Sequence, residues 1–158
     1  MSRDSRHSEA SGPRAAFIDG ARHGVPVIIA SLPFGLLFGA LAVQNGLSVN
    51  DAVLMSATIF GGASQMVGIE LFGQQIAPWL VVLSIFAVNF RHVLYSAALG
   101  RRVSHWTPFQ RGFGFFFLTD PQYAEGEKEA ASRRGLSFVW YMGMAIPIYI
   151  AWVVDAWL

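Results

Sequence analysis

The stretch PWLVVLSIFAVNFRHVLYSAALG, residues 78–100, is hydrophobic, and Asn89-Phe90-Arg91-His92 lies near its middle. About 20 consecutive apolar residues are enough for a helix to cross a bilayer. An arginine at the bilayer centre costs roughly 2.5 to 3.5 kcal/mol on insertion scales, so it normally faces a polar cavity or a partner. The stretch therefore predicts a membrane protein with a polar site at membrane depth.

The composition of the whole chain supports an integral membrane protein. Hydrophobic residues make up 54% of the 158 residues and charged residues 13%, against roughly 25% charged residues in soluble domains. Cysteine is absent, which excludes disulfides and thiolate metal sites. A net charge of +1 without a basic patch does not predict a nucleic-acid partner. We expect an all-α, polytopic protein in the lipid bilayer, with broken or re-entrant helices.

The chain divides into a polar N-terminal tail, residues 1–16, and a transmembrane domain, residues 17–158. The first span is expected to begin near Val25. Pro33, Gly35 and Gly39 predict a helix break, because proline removes a backbone donor and glycine lets another backbone approach. A helix end is expected at Asp120-Pro121. The domain contains about five hydrophobic segments, at 25–43, 51–72, 78–100, 112–123 and 136–158.

The arginines predict the topology through the positive-inside rule. Arg14 and Arg22 favour a cytoplasmic N-terminus, and the basic loop 101–111 should also be cytoplasmic. Three complete spans would place that loop outside, so one of the first three segments should not cross. Segment 51–72, interrupted at Gly61-Gly62, is the best candidate for a re-entrant or broken helix. By the same rule the short segment 112–123 should be re-entrant from the cytoplasmic side, because Lys128, Arg133 and Arg134 follow it. Such a pair of broken elements is typical of inverted-repeat transporters.

Five short motifs occur in the order and approximate spacing of a known family. They are Pro33-Phe34-Gly35-x-x-Phe38-Gly39, Gly46-Leu47-Ser48, Gly62-Ala63-Ser64-Gln65, Asn89-Phe90-Arg91-His92-x-x-Tyr95-Ser96 and Leu118-Thr119-Asp120. The chain resembles the AzlC family of bacterial branched-chain amino acid permeases, which includes the larger subunit of two-component valine exporters. The resemblance implies export of branched-chain amino acids across the bacterial cytoplasmic (inner) membrane, with a small AzlD-type membrane protein as partner.

Two features differ from the family pattern. Family members are longer, whereas this chain stops in apolar sequence at Ala156-Trp157-Leu158, so we expect a C-terminally truncated homologue. Pro121 stands where the family often has an acidic residue after the Thr-Asp pair. The alternative function is therefore a truncated, non-transporting membrane subunit that acts by association with a partner, and a channel-like pore is a further one.

A branched-chain amino acid requires a site with N–H donors, acceptor oxygens and an apolar pocket. Gly61, Gly62 and Ser64 could supply free backbone N–H groups at the start of a half-helix, where the helix dipole favours an anion. Ser64 and Gln65 would add side-chain donors. The alternative is that these small residues only allow helices to pack closely.

Arg91 could hold the substrate carboxylate with two hydrogen bonds, with Asn89 and His92 nearby to bind the substrate or orient the guanidinium. Alternatively, Arg91 pairs with Asp120 as a structural ion pair or reaches towards the interface. Asp120 could accept from the substrate ammonium or carry a coupling proton, and His92 is the second candidate for the proton. The structural alternative for Asp120 is that it caps a helix or lies at the membrane interface.

No enzyme is predicted, because Ser64 has no identifiable base and the chain contains neither a phosphate-binding loop nor metal-ligand spacing. No cofactor and no metal are expected, and an ion gradient would supply the energy. Trp152 and Asp155 are predicted to lie at the membrane interface, Trp152 as an aromatic anchor.

Overall fold

The computed structural model describes residues 12–133 and 135–157, and this part of the chain is helical without any strand. The prediction of an all-α protein with broken helices is confirmed. In chain order the helices are α1 Pro13–Gln44, α2 Val49–Thr58, α3 Gly62–Gly73, α4 Pro78–Asn89, α5 Arg91–Gly100, α6 Pro108–Phe116, α7 Asp120–Arg133 and α8 Phe138–Asp155.

Helices α1 and α8 form the most extensive contact of the fold. Glycines four residues apart on α1, Gly20 with Gly24 and Gly35 with Gly39, bring the two backbones together. A Cβ at Gly20 would collide with the carbonyl oxygen of Trp140. Small residues at such spacing allow membrane helices to approach closely and gain van der Waals contact.

Asp155, at the end of α8, lies in this contact as well. Its side chain packs on Gly35, where a Cβ would collide with it, and the residue is only 2% exposed. The missing side chain of Gly35 leaves a place for this carboxyl group between the two helices. The expected position of Asp155 at the membrane interface stays a prediction.

The predicted helix break at Pro33, Gly35 and Gly39 is wrong, since α1 continues through Pro26 and Pro33. A proline inside a helix removes one hydrogen bond, but neighbouring helices can hold a membrane helix together around it. Gly35 and Gly39, which follow Pro33 on α1, pack on the end of α8.

Helix α1 begins at Pro13, so the first membrane span, expected to begin near Val25, would start inside this helix. Pro13 stands in the first turn, where the missing N–H of proline costs no helical hydrogen bond. Residues 13–16 of the predicted tail therefore belong to α1, and residues 1–11 lie outside the described part of the chain.

Segment 51–72 is interrupted where the double glycine predicts it. Helix α2 ends at Thr58, and the Gly61 N–H donates to the carbonyl oxygen of Ile59 (2.9 Å) before α3 begins. The Tyr149 hydroxyl of α8 donates to the carbonyl oxygen of Ala57 (2.8 Å). A side chain of α8 thus satisfies one carbonyl that the end of α2 leaves free.

The expected helix end at Asp120-Pro121 is wrong. Helix α6 already ends at Phe116, and Asp120 begins α7, which continues beyond hydrophobic segment 112–123 to Arg133. Pro121 is tolerated in the first turn of α7 because the N–H it lacks would have no helical acceptor there. An acidic residue in that turn is also favoured by the helix dipole.

Segment 78–100 contains an irregularity that the sequence analysis did not predict. Around Phe90 two N–H groups bond three residues back, Phe90 to Ala87 (3.3 Å) and Val93 to Phe90 (3.0 Å). Phe90 keeps right-handed helical angles, φ −57° and ψ −26°. Helices α4 and α5 therefore follow one another as a nearly continuous rod with one tightened turn.

Three stretches of the described chain are long and apolar enough to cross a membrane: Pro13–Gln44, Pro78–Gly100 and Phe138–Asp155. The two segments with full breaks, 51–72 and 112–123, are not among them. The re-entrant topology of those two segments and the cytoplasmic N-terminus remain predictions.

The glycine contact between α1 and α8 can be tested with Gly20→Ala. The added methyl group would meet the backbone oxygen of Trp140, which cannot move aside without shifting the helix. We expect a loss of about 1 to 3 kcal/mol of unfolding free energy, measured as a lower thermal unfolding midpoint in detergent.

Gly112→Ala is the matched control, because nothing lies within 4 Å of a Cβ at Gly112 in α6. This change should be neutral or slightly stabilising, since alanine favours a helix over glycine by about 1 kcal/mol. Equal midpoints for both variants would contradict the glycine contact.

Candidate functional site

A cavity of about 140 Å³ lies where the helix breaks meet α1 and α8. An apolar cavity of about 150 Å³ in another protein holds benzene, so this one is large enough for a branched aliphatic side chain. A wider, more open groove adjoins it and shares Arg91, Asp120 and Trp152 in its lining. The cavity is lined by Val27, Ser31, Phe60, Gly61, Gly62, Arg91, Thr119, Asp120, Pro121, Ile148 and Trp152.

The N-terminus of α3 forms one wall of the cavity. Gly61 precedes the helix in an extended conformation, φ −176° and ψ 113°, and no side chain caps the first turn. The first N–H groups of a helix have no intrahelical acceptor. Gly62 also allows two aromatic rings to approach, since a Cβ there would lie 2.9 Å from Cζ of Phe34 and 3.3 Å from Cη2 of Trp152.

Arg91 and Asp120 form an ion pair across the cavity, with Nη1 of Arg91 2.9 Å from Oδ2 of Asp120. The pair links the start of α5 to the start of α7, and the Tyr95 hydroxyl lies beside the same carboxylate. Both residues line the cavity, and their side chains are 31% and 52% exposed. Nε of Arg91 is buried and has no hydrogen-bond partner among the described residues. The arrangement matches the structural ion pair considered for Arg91, and it lies on the cavity at the same time.

Asn89 and His92 lie behind Gly61 and do not line the cavity. A Cβ at Gly61 would lie 3.4 Å from Oδ1 of Asn89 and 3.8 Å from Cε1 of His92. Nδ1 of His92 is 3.0 Å from the backbone oxygen of Asn89. Oδ1 of Asn89 is buried, without a partner in the described chain.

Ser64 and Gln65 are fully buried and turn away from the cavity. The Ser64 hydroxyl donates to the carbonyl oxygen of Gly61 (2.8 Å), and Nε2 of Gln65 donates to the Ser56 hydroxyl of α2 (2.8 Å). Both side chains therefore hold the break between α2 and α3.

The structure thus brings Gly61, Gly62, Arg91 and Asp120 together at the cavity and separates the other four candidates from it. Helices α1 and α8 also contribute residues to the cavity, and no motif in the sequence predicts this. Trp152, expected at the membrane interface, stacks on Phe34 with ring centroids 5.4 Å apart and lines the cavity. Ile148 stands one helical turn before Trp152 on the same face of α8, and this spacing is the only local signal for the pair.

A helical chain with three membrane-length helices and a partly polar cavity at its helix breaks is an integral membrane protein. The family model described as AzlC protein matches residues 26–158. The chain therefore belongs to the AzlC family.

Relatives share about a third of the aligned residues. The inner membrane protein YgaZ of Escherichia coli is 30% identical over 141 residues, covering 88% of this chain and 58% of that protein. An uncharacterized membrane protein of Archaeoglobus fulgidus is 33% identical over 139 residues, covering 88% of this chain and 59% of that protein. The chain thus spans somewhat more than half the length of these relatives. No solved structure matches the chain.

The ion pair can be tested by a double-mutant cycle with Arg91→Gln, Asp120→Asn and the combined variant. Because both side chains are partly exposed, we expect a coupling free energy below about 1 kcal/mol, as for solvent-accessible pairs. Unfolding free energies in detergent measure it. A loss of 3 kcal/mol or more in either single variant would instead indicate a buried structural ion pair.

Proposed function

We propose that this chain is part of a transporter for branched-chain amino acids of the valine, leucine and isoleucine type, and that it exports them across the bacterial inner membrane. One observation supports this most: an ion pair, Arg91 with Asp120, borders a largely apolar cavity of about 140 Å³. Family membership and the name of the Escherichia coli relative, an inner membrane protein, support the proposed location in the inner membrane.

The chemistry of the substrate fits the groups at the cavity. The carboxylate would lie towards Arg91 and the uncapped start of α3, where charge and helix dipole both favour an anion. The ammonium would lie towards Asp120. The aliphatic side chain would contact Val27, Phe60 and Ile148.

A zwitterion would exchange partners with the existing ion pair. Without substrate, Arg91 and Asp120 neutralise each other, which lowers the cost of two charges at membrane depth. With substrate, each charge gains a partner of opposite sign, so the site stays electrically neutral. A pure carboxylic acid or a pure amine would leave one protein charge unpaired, which disfavours both.

Two further parts of the proposal concern coupling and assembly. Asp120 and His92 are the candidates to carry a coupling proton, Asp120 on the cavity and His92 behind Gly61. A small AzlD-type membrane protein is the proposed partner. Because the chain spans 58% of its Escherichia coli relative, we assign transport to the assembled transporter and not to these helices alone.

The alternative is a non-transporting membrane subunit that acts by association. Helix α4 favours this alternative. Its side chains are mainly apolar, yet none of its 12 residues is buried. A partner could cover this surface as well as lipid could.

Arg91→Lys tests the transport proposal. A lysine keeps the charge but cannot make two parallel hydrogen bonds to a carboxylate, and a lost charge-assisted hydrogen bond corresponds to about tenfold in affinity. We expect at least a tenfold slower efflux of radiolabelled valine from preloaded cells at a limiting internal concentration, with the AzlD-type partner present.

Arg101→Lys, in the exposed loop after α5, is the matched control and should transport normally. Both variants must reach the same abundance in the membrane. No valine efflux from the inserted wild-type chain, with or without the partner, would refute transport and favour the non-transporting subunit.

A further inference from the structure

A second, polar pocket lies at the end of α5, where this helix meets α7. Its volume is about 370 Å³, and it is lined by Ala98, Arg101, Arg102, Tyr123 and Glu127. Pockets that bind small molecules have volumes of about 300 to 1,000 Å³. None of these five residues lines the cavity described above, so the proposed transport site gives this pocket no role.

The pocket has two guanidinium groups that can still bind an anion. Nε of Arg102 is 3.5 Å from Oε2 of Glu127, which is longer than an ordinary N–H···O hydrogen bond, and 51% of the Arg102 side chain is exposed. The Arg101 side chain is exposed and forms no hydrogen bond or ion pair with another described residue. Two arginines and one glutamate leave the pocket positively charged, and the planar guanidinium group suits the geometry of a phosphate.

The pocket lies at the level of the membrane surface. Arg101 and Arg102 directly follow Pro78–Gly100, one of the stretches that are long and apolar enough to cross a membrane. Long basic side chains at the end of such a helix reach into the headgroup region. Basic pockets between membrane helices bind the headgroups of anionic lipids. A lipid phosphate is therefore the anion that this position brings to the two arginines.

An apolar stripe continues from the pocket along the same helix. Leu94 stands four residues before Ala98, and Phe90, directly before α5, stands four residues before Leu94, so their side chains follow one another on one side of the helix. Leu94 is 61% exposed and Phe90 54%. A charged pocket with an exposed apolar stripe below it matches a molecule with an anionic head and a hydrocarbon tail, and a free phosphate would leave the stripe unused.

We propose that this pocket binds an anionic phospholipid of the phosphatidylglycerol type. Arg101 and Arg102 donate hydrogen bonds to the phosphate oxygens, and an acyl chain lies along Leu94 and Phe90. The single negative charge of this headgroup neutralises the pocket, whereas the zwitterionic phosphatidylethanolamine leaves the pocket charged. The lipid site is independent of transport, because it shares no residue with the transport cavity.

Native mass spectrometry of the purified chain in detergent, titrated with either phospholipid, tests the site. We expect phosphatidylglycerol to bind more tightly than phosphatidylethanolamine. The double variant Arg101→Gln, Arg102→Gln should bind phosphatidylglycerol about tenfold more weakly, the effect of a lost hydrogen bond to a charged group. The matched control is Arg14→Gln, Arg22→Gln, which removes the same charge from exposed positions of α1 outside the pocket and should bind like the wild type.

A variant that should bind more tightly separates the lipid site from damage to the fold. Glu127→Gln removes the negative charge of the pocket, so we expect roughly two- to fivefold tighter binding of phosphatidylglycerol, the effect of one solvent-accessible charge. Glu125→Gln is its control, because Glu125 pairs with Lys128 and does not line the pocket. This control should leave the affinity unchanged.

Three results would overturn the proposal. One is equal affinity for the two phospholipids. Another is an equal loss of phosphatidylglycerol binding in the two double arginine variants, which would indicate unspecific attraction to the positive charge of the chain. The third is displacement of the lipid by an equal concentration of soluble glycerol phosphate, which would show that the pocket binds phosphate without using the apolar stripe.

Discussion

The close backbone contact between α1 and α8 is the constraint on which the rest of the structure depends. Lipid is as apolar as the helix surfaces, so the hydrophobic effect contributes little to helix association within a bilayer. Gly20, Gly24, Gly35 and Gly39 replace that driving force with dense van der Waals contact along one face of α1. A single larger side chain on this face would separate the two helices along much of their length.

This contact positions both walls of the cavity. Val27, Ser31 and Phe34 of α1 face Ile148 and Trp152 of α8 because the glycines before and after them fix the distance between the helices. The same α8 supplies the Tyr149 hydroxyl that bonds to the end of α2. Helix packing and helix interruption are therefore linked. On α8, Ile148, which lines the cavity, is next in sequence to Tyr149, whose hydroxyl donates a hydrogen bond to a free carbonyl at the end of α2.

The helix interruptions lie where polar groups meet at the cavity. Irregular backbone survives at membrane depth only where protein or a water-filled cavity covers it, and the breaks before α3 and α7 both border the cavity. Arg91 and Asp120 meet between them and neutralise each other. The cavity combines free N–H groups, a charge pair and apolar walls in a volume that suits a small amino acid, which is why transport is the function we propose.

Structural features that a local rule decides could be predicted from the sequence. A double glycine weakens a helix in any surroundings, so the break at Gly61-Gly62 could be predicted, as could the all-α class from hydrophobic length. The predictions at Pro33 and at Asp120-Pro121 failed, because the effect of a proline depends on its place in the helix and on its neighbours. Pro33 lies within α1, whose following glycines pack on the end of α8, and Pro121 lies in the first turn of α7 instead of ending a helix.

The sequence by itself determined that the chain is a helical membrane protein of the AzlC type and that Arg91 and Asp120 lie among apolar residues. Hydrophobic length, composition and motif order are properties of the chain alone. Only the tertiary structure decided which polar groups share a cavity: it paired Arg91 with Asp120, moved Asn89 and His92 behind Gly61, and brought Trp152 from a remote helix. The physical reason is that these neighbours come from α1, α3, α5, α7 and α8. The spacing of the glycines shows that a helix can pack closely, but only the folded chain shows which helix packs there and which side chains then share a cavity.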